Sequence, residues 1–468
     1  MKLKRIVCMA SATVLSIGMF AGCGGTGGGN SENPGSDYDV NITLDKNITA
    51  TLKVGVTNYT SEKKIIAEIG DLLKKEYPNV TVEVVPFSGG ISATIGNWYN
   101  AGNMPDIFIN NSFDMFTLSD KGCMLDLTPY VEAEVASETS SFSVADYYEA
   151  YWKLGQEKFD GAQYMIPRSA DRVVCHYNAA IFKAAGVDMG LVKNGWTWED
   201  FDKVCATLRT YYDNNGKSDY YLLDSYMTWE AVYNPIFEAY GVEYFDEDGK
   251  VTLDSKETEN ALSFLKSLID KRYVAPLSTE QASMMGNKGC MLFHSQATSI
   301  VAKELGKYYP DAENVSDYYN VVTMPVMSGN EKIGCGAAGY SVYANSENRD
   351  LAWQFLKLLL SKDGQNIMAD SGSNYVSVRK DMADYTDSNN KWGKGYTDMN
   401  LSAFTYNSGI GDDPDWNCYT TYIAQQKPKY ASNISTTISN LISAYCGGTS
   451  YSSAMKTCKN AIERYIKM

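Results

Sequence analysis

Fifty-six acidic residues and two histidines are the groups from which this chain of 468 residues could build acid-base chemistry. No pair of carboxylates is singled out by its spacing, and no G-x-S-x-G, H-E-x-x-H, P-loop or G-x-G-x-x-G signature stands in a supporting context. His176 lies in an apolar run between Cys175 and Tyr177 and reads as a satisfied structural imidazole rather than a base. Two acidic turns, at 213–219 and 246–250, share part of a calcium loop. Each places Lys one residue after Gly and lacks a bidentate Glu at the twelfth position, so Asx turns and a hairpin at Asp248-Gly249 are expected. Without Cys8 and Cys23 eight cysteines remain, with no CxxC or CxxH pair. Several sit in apolar runs as small buried hydrophobes, and Cys446 with Cys458, flanking a Gly-rich turn, is the favoured disulfide. No catalytic residue, metal or cofactor is expected; what remains is recognition.

The N-terminus says where that recognition takes place. Lys2, Lys4 and Arg5 precede an apolar run over 6–20, too short to span a bilayer, and small residues Ala21 and Gly22 lead into Cys23. Phe20-Ala21-Gly22-Cys23 resembles the bacterial lipobox, which implies acylation (palmitate or similar chains) at Cys23 and an extracytoplasmic, membrane-anchored protein. The Gly/Ser/Asn-rich stretch after it reads as a flexible tether over 23–47. The formal charge is −15; less the +3 of residues 1–22, the mature chain carries −18. Such a surface repels phosphate backbones and anionic headgroups, excluding nucleic acid as a partner and leaving the lipid anchor as the only membrane contact. Aromatic residues reach 12%, with 35 Tyr and 8 Trp, so flat amphipathic faces are plentiful.

About 420 residues exceed one comfortable core, so two lobes are expected. Strands at 51–56, 80–85 and 107–109 alternate with helices at 60–77 and 91–101, the first capped by Thr60 or Ser61 and stopped by Pro78. This β-α-β-α-β order implies an α/β fold with a doubly wound, mainly parallel sheet whose ligands collect at the carboxyl ends of strands. Residues 57–59 and 110–113 then stand at a cleft rim.

The segment Ala101-Gly102-Asn103-Met104-Pro105-Asp106-Ile107 resembles the AG-x-x-PD-hydrophobic signature of family 1 extracellular solute-binding proteins of ABC importers. Further segments agree in order: Met165-Ile166-Pro167 with His176-Tyr177-Asn178; Thr197-Trp198-Glu199-Asp200-Phe201; Gly289-Cys290-Met291-Leu292; and 324–339 with 345–365. Thr197 and Asp200 also make sense as an N-cap and a first-turn acid. Asn110 and Ala297 stand where related maltodextrin binders carry Trp, and Asp171 stands where they carry a sugar-binding Glu.

The resemblance implies a two-lobed periplasmic-binding-protein-like fold, each lobe a doubly wound sheet flanked by helices, with a cleft between them. The expected division is a signal peptide over 1–22, the first lobe over 48–167 and 320–363, and the second over 168–319 and 364–468, with chain crossings near 165–172, 319–323 and 361–365. It further implies a monomeric receptor that passes a carbohydrate, an oligosaccharide in view of the family's long clefts, to ABC permease subunits. Sugar rings present apolar C–H faces and dense hydroxyls, which call for aromatic platforms beside Asn, Asp, Arg and His. The candidate contacts are Tyr59, Asn110 and Asn111 from the first lobe and Arg168 and Asp171 from the crossover. Trp229, His294, Tyr340 and Trp416 come from the second lobe and late loops. Trp229 serves core packing as readily as stacking, whereas Trp416 stands among Asp412, Asp413, Pro414 and Asp415. Alternatives of other kinds are a binder of peptides or other non-anionic metabolites, a secreted glycan-acting enzyme and a surface adhesin.

Cys23→Ala is expected to abolish acylation and to release the protein into the medium or leave it unprocessed. Membrane retention with labelled fatty acid incorporated as in wild type would contradict the anchor.

Overall fold

The computed structural model describes residues 38–406 and 430–467, apart from short stretches at 112–114, 116–117, 120, 157–160, 225, 277–279, 296–297, 329–331, 337 and 373–374. Cys23 and Trp416 lie outside the described residues.

In chain order the first lobe begins with β1 (Ala50–Val56), α1 (Thr60–Glu76), β2 (Val80–Pro86), α2 (Ile91–Ala101), β3 (Ile107–Asn111), α3 (Thr128–Ala136) and α4 (Glu149–Lys153). The chain continues through β4 (Ile166–Pro167), β5 (Val174–Tyr177), α5 (Ala179–Ala185), α6 (Trp198–Asn214), α7 (Glu230–Ala239), α8 (Lys256–Asp270), β6 (Met291–His294) and α9 (Thr298–Gly306). It ends with β7 (Asn320–Thr323), β8 (Ala338–Val342), α10 (Arg349–Leu360), α11 (Lys362–Ala369), α12 (Ala431–Cys446) and α13 (Tyr451–Ile466).

Two sheets result. The first has the order β2-β1-β3-β8-β4, with β1 parallel to β2 and β3, and β8 antiparallel to both β3 and β4. The second has the order β6-β5-β7, and its strands pair antiparallel, which departs from the mainly parallel sheet expected of each lobe. Apolar periodicity builds the first layer: Ile65, Ile66, Ile69 and Leu73 of α1 are fully buried under β1 and β2. The observed cap of α1 is Tyr59, whose side chain makes no capping bond, so neither Thr60 nor Ser61 plays that part. Thr197 and Asp200 do form a reciprocal capping box at the start of α6.

Among the described residues the chain passes between the two sheets twice, first from β4 to β5, and after β8 it crosses once more to the C-terminal helices on the second lobe. The second crossing is later than expected: Val321 and Val322 of β7 pair with His176 and Cys175 of β5, so 320–323 belongs to the second sheet and the return lies in 324–337. The third is also later, because α11 packs against α1 and α10 of the first lobe. Lys64 of α1 reaches the Asp370 carbonyl at 3.2 Å and Ser299 of α9 the Gly372 carbonyl at 2.7 Å, so the turn after α11 touches both lobes. The C-terminal hairpin α12–α13 packs on the second lobe, where Ser439 donates to the Thr228 carbonyl and Tyr451 to the Ser255 carbonyl.

Two other expectations are corrected. The end of the stretch read as a flexible tether is docked: Gln354 donates to the Ile42 carbonyl at 2.9 Å, Asn41 N–H donates to Asp350, and the Tyr38 hydroxyl bonds the Asp126 carbonyl. Cys446 and Cys458 are free thiols, as are Cys123, Cys175, Cys205 and Cys290, whereas Cys335 is disulfide-bonded. Side chains of α12 and α13 pack against each other, so the Cys446–Cys458 turn needs no covalent link. The acidic turn at 246–250 closes as a hairpin, with Phe245 bridged to Val251 and Gly249 at φ 75°.

Candidate functional site

Segments far apart in the chain converge on one buried carboxylate. Glu62, in the first turn of α1, is 1% exposed and accepts from Arg168 Nη1 at 2.7 Å, from the Tyr375 hydroxyl at 2.5 Å and from the Tyr340 hydroxyl at 3.4 Å. Arg168 follows β4 at the first crossing, Tyr340 lies on β8 after the second, and Tyr375 follows α11, where the carbonyls of Val376 and Val378 still accept from Ala170 and Tyr148. The Arg168 guanidinium also lies over the Tyr375 ring, 4.7 Å from its centroid. Burial works against the Arg168 charge, but the surrounding oxygen groups, Glu62 and Asp171 among them, hold its pKa above the ordinary arginine range. Burial likewise raises the Tyr375 pKa, so its hydroxyl stays protonated and donates.

Asp171, on the same crossover, is buried beside this cluster. Its backbone carbonyl accepts from Gly336 N–H at 2.6 Å, and a Cβ at residue 336 would collide with Asp171 Oδ2, so glycine there lets the Asp171 carboxylate keep its place against the return segment. Asp171 Oδ1 is buried without a hydrogen-bond partner among the described residues, as are Arg168 Nε and, at the carboxyl end of β1, Thr57 Oγ1. The second lobe brings His294, at the end of β6, within electrostatic reach of Asp171; desolvation lowers the His294 pKa and Asp171 opposes that shift. The Trp229 ring, at the N-cap of α7, lies 6.3 Å from the His294 ring. A half-buried indole, an imidazole, an acceptor lacking a donor and a guanidinium are thus linked in sequence, Trp229 to His294 to Asp171 to Arg168, a set of groups suited to holding a hydroxyl-rich molecule.

The structure sorts the sequence candidates. It brings Arg168, Asp171, Trp229 and His294 together. Tyr59 stands at the rim, 72% exposed at the start of α1, and half-buried Asn111 ends β3 opposite Ala338. Tyr340 and Asn110 are fully buried, so neither is a surface contact: the Tyr340 hydroxyl is directed at Glu62, and the Asn110 amide donates to Met124 Sδ at 3.3 Å. Glu62, Tyr375 and Gly336 were missed in the sequence. Glu62 looks like any first-turn acid matched to the helix dipole, and its partners lie 106, 278 and 313 residues away.

His176 is structural, as its apolar setting indicated. Its Nδ1 meets the Tyr319 hydroxyl at 2.7 Å, its Nε2 meets the His294 carbonyl at 3.1 Å, and its ring stacks on Tyr319. A cavity of about 330 Å³ lies elsewhere, on the outer side of the first lobe between Ile42, Glu134, Phe142, Lys357 and Arg379. Three of its charged groups already have partners: Glu134 bonds Lys357 and Trp353, and Arg379 bonds Asp146 and Asp381.

Residues 56–366 match the family model of the bacterial extracellular solute-binding proteins. An arabinooligosaccharide-binding protein of Halalkalibacterium halodurans is 26% identical over 208 residues, covering 42% of this chain and 43% of the relative. An uncharacterized ABC transporter extracellular-binding protein of Pyrococcus horikoshii is 22% identical over 284 residues, 57% of this chain and 58% of the relative. The chain thus matches about two fifths to three fifths of these curated relatives' lengths. Among solved structures, an ABC substrate-binding protein of Listeria monocytogenes in complex with cycloalternan superposes with a TM-score of 0.65 at 18% identity, over 90% of this chain and 100% of that one. Maltose-bound MalE3 of T. maritima gives a TM-score of 0.66 at 16% identity, over 89% and 100%. At such identities the structural likeness establishes the two-lobed fold alone.

Desolvation pushes the His176 pKa down to about 3, with His294 acting in the same direction. A folded-state pKa below the unfolded value of about 6.5 leaves stability intact above pH 6.5 and removes it as pH falls towards 3. Between pH 7.5 and 4.5 this one group is expected to cost about 2–3 kcal/mol. In denaturant titrations His176→Gln should therefore show a shallower acid loss than wild type; parallel losses would contradict the assignment.

Proposed function

The chain belongs to the bacterial extracellular solute-binding proteins, and from that membership we propose that it captures a neutral carbohydrate between its lobes and delivers it to an ABC permease. The observation that carries this reading is Asp171 Oδ1, a buried acceptor with no donor among the described residues, within electrostatic reach of His294, whose ring lies 6.3 Å from that of Trp229. A sugar hydroxyl supplies the donor, and the C–H face of the ring suits the indole. The sugars named for the relatives, an arabino-oligosaccharide, cycloalternan and maltose, support an oligosaccharide as the ligand. The lipobox-like Cys23 supports an anchored receptor working outside the cytoplasm, and since one chain supplies both lobes a monomer suffices for binding.

The family binds solutes, so the ligand is expected to leave unaltered. A glycan array with the soluble chain lacking residues 1–23 tests the ligand class, and product analysis of any bound glycan tests turnover: cleaved products would favour a glycan-acting enzyme. With a bound glycan identified, Asp171→Ala should weaken calorimetric affinity by about 1–3 kcal/mol, about 5- to 150-fold, without lowering the melting temperature of the unliganded protein. Unchanged affinity would remove Asp171 from the site.

A further inference from the structure

Four charged groups surround the floor of the interlobe site: Glu62 from α1, and Arg168, Asp171 and Arg172 from the crossover. Arg172 is directed away from this cluster, its Nη1 bonding the Tyr406 carbonyl. Arg168 is the cation of the four that remains, and it is compensated from two sides. Glu62 takes its Nη1 at 2.7 Å, and Asp171 lies within electrostatic reach. Glu62 is itself fixed, since the hydroxyls of Tyr375 and Tyr340 donate to it. Tyr340 is fully buried on β8 and Glu62 is 1% exposed, so solvent does not screen this pair as it screens exposed ones.

The consequence is chemical. A bare guanidinium beside a sugar site would attract a carboxylate or phosphate through paired, charge-assisted hydrogen bonds. Here Nη1 is engaged by Glu62, which compensates the charge although Nε keeps no partner among the described residues, while Asp171 Oδ1, also lacking one, offers an acceptor that a hydroxyl satisfies and a carboxylate meets as a like charge. We infer that Glu62 is a specificity-determining, positioning residue: by holding Arg168 in a neutralised pair, it makes the cleft select uncharged sugars over acidic ones. This rests on the carbohydrate reading above and adds to it the residue that sets the ligand's charge.

The test compares D-glucose with sodium D-glucuronate as probes, at matched ionic strength, on the soluble chain by calorimetry. Wild type is expected to discriminate against glucuronate. Glu62→Gln, which keeps an acceptor for the two tyrosines and removes the charge, should raise the glucuronate-to-glucose affinity ratio by about tenfold or more, a gain that added salt diminishes. The double variant Glu62→Gln/Arg168→Gln should lose that gain, whereas Tyr375→Phe, a purely structural perturbation of the same cluster, should not produce it. An unchanged ratio in Glu62→Gln, no glucuronate binding by it, or a gain that survives loss of Arg168 would overturn the inference. Should Glu62→Gln fail to fold, Asp171→Asn removes the other carboxylate facing Arg168 and must shift the ratio the same way, or the inference fails. A wild-type protein that binds no neutral glycan on the array, with the glucuronate gain still present in Glu62→Gln, would overturn the carbohydrate reading and leave the charge balance standing.

Discussion

The ion pair between Glu62 and Arg168 is the interaction on which the rest of this molecule is organised. Exposed pairs such as Lys64–Glu68 and Lys256–Glu259 are screened by solvent and contribute little. Removing one partner of a buried pair costs about 3–5 kcal/mol, because the other charge is left uncompensated. Glu62 and Arg168 are of the second kind, and Tyr340 and Tyr375 complete their hydrogen bonding. Since these groups arrive from α1, the β4 crossover, β8 and the segment after α11, the cluster ties the first crossing to distant parts of the first lobe.

Position follows from that arrangement. The crossover that delivers Arg168 to Glu62 also delivers Asp171, three residues on, and glycine at residue 336 lets the Asp171 carboxylate keep its place against the return segment. The second lobe supplies His294 and Trp229 from the other side. Behind them His176 stacks on Tyr319 and bonds the His294 carbonyl, so the strand that carries His294 is supported from within. A ligand held between these sets of groups would touch both lobes at once, and its preference for the arrangement in which both reach it would supply the energy of closure.

Local features were legible in the sequence and long-range ones were not. The alternation through β1, α1, β2, α2 and β3 was readable because each element carries its own period and its own stops, and the Thr197–Asp200 capping box because both partners lie within one turn. Arg168, Asp171, Trp229 and His294 were identified from residue chemistry and family resemblance, and the fold brings them together. Glu62 was invisible because a first-turn acid is common and its meaning lies in partners more than a hundred residues away. For Tyr340 and Asn110 the burial was not legible: polar atoms on a strand end resemble a rim, while the packing of β3 against β8 buries both. The later second crossing escaped because a short apolar run does not reveal which sheet it will join.

If ligand is held between two lobes that rotate about a fixed set of crossings, its binding must compact the molecule. Small-angle scattering on the soluble chain, with and without a saturating glycan whose binding is confirmed independently, tests this most directly. A smaller radius of gyration is predicted in the bound state. Superimposable curves with binding confirmed would contradict it, showing that the site is preformed and that closure is not what signals occupancy.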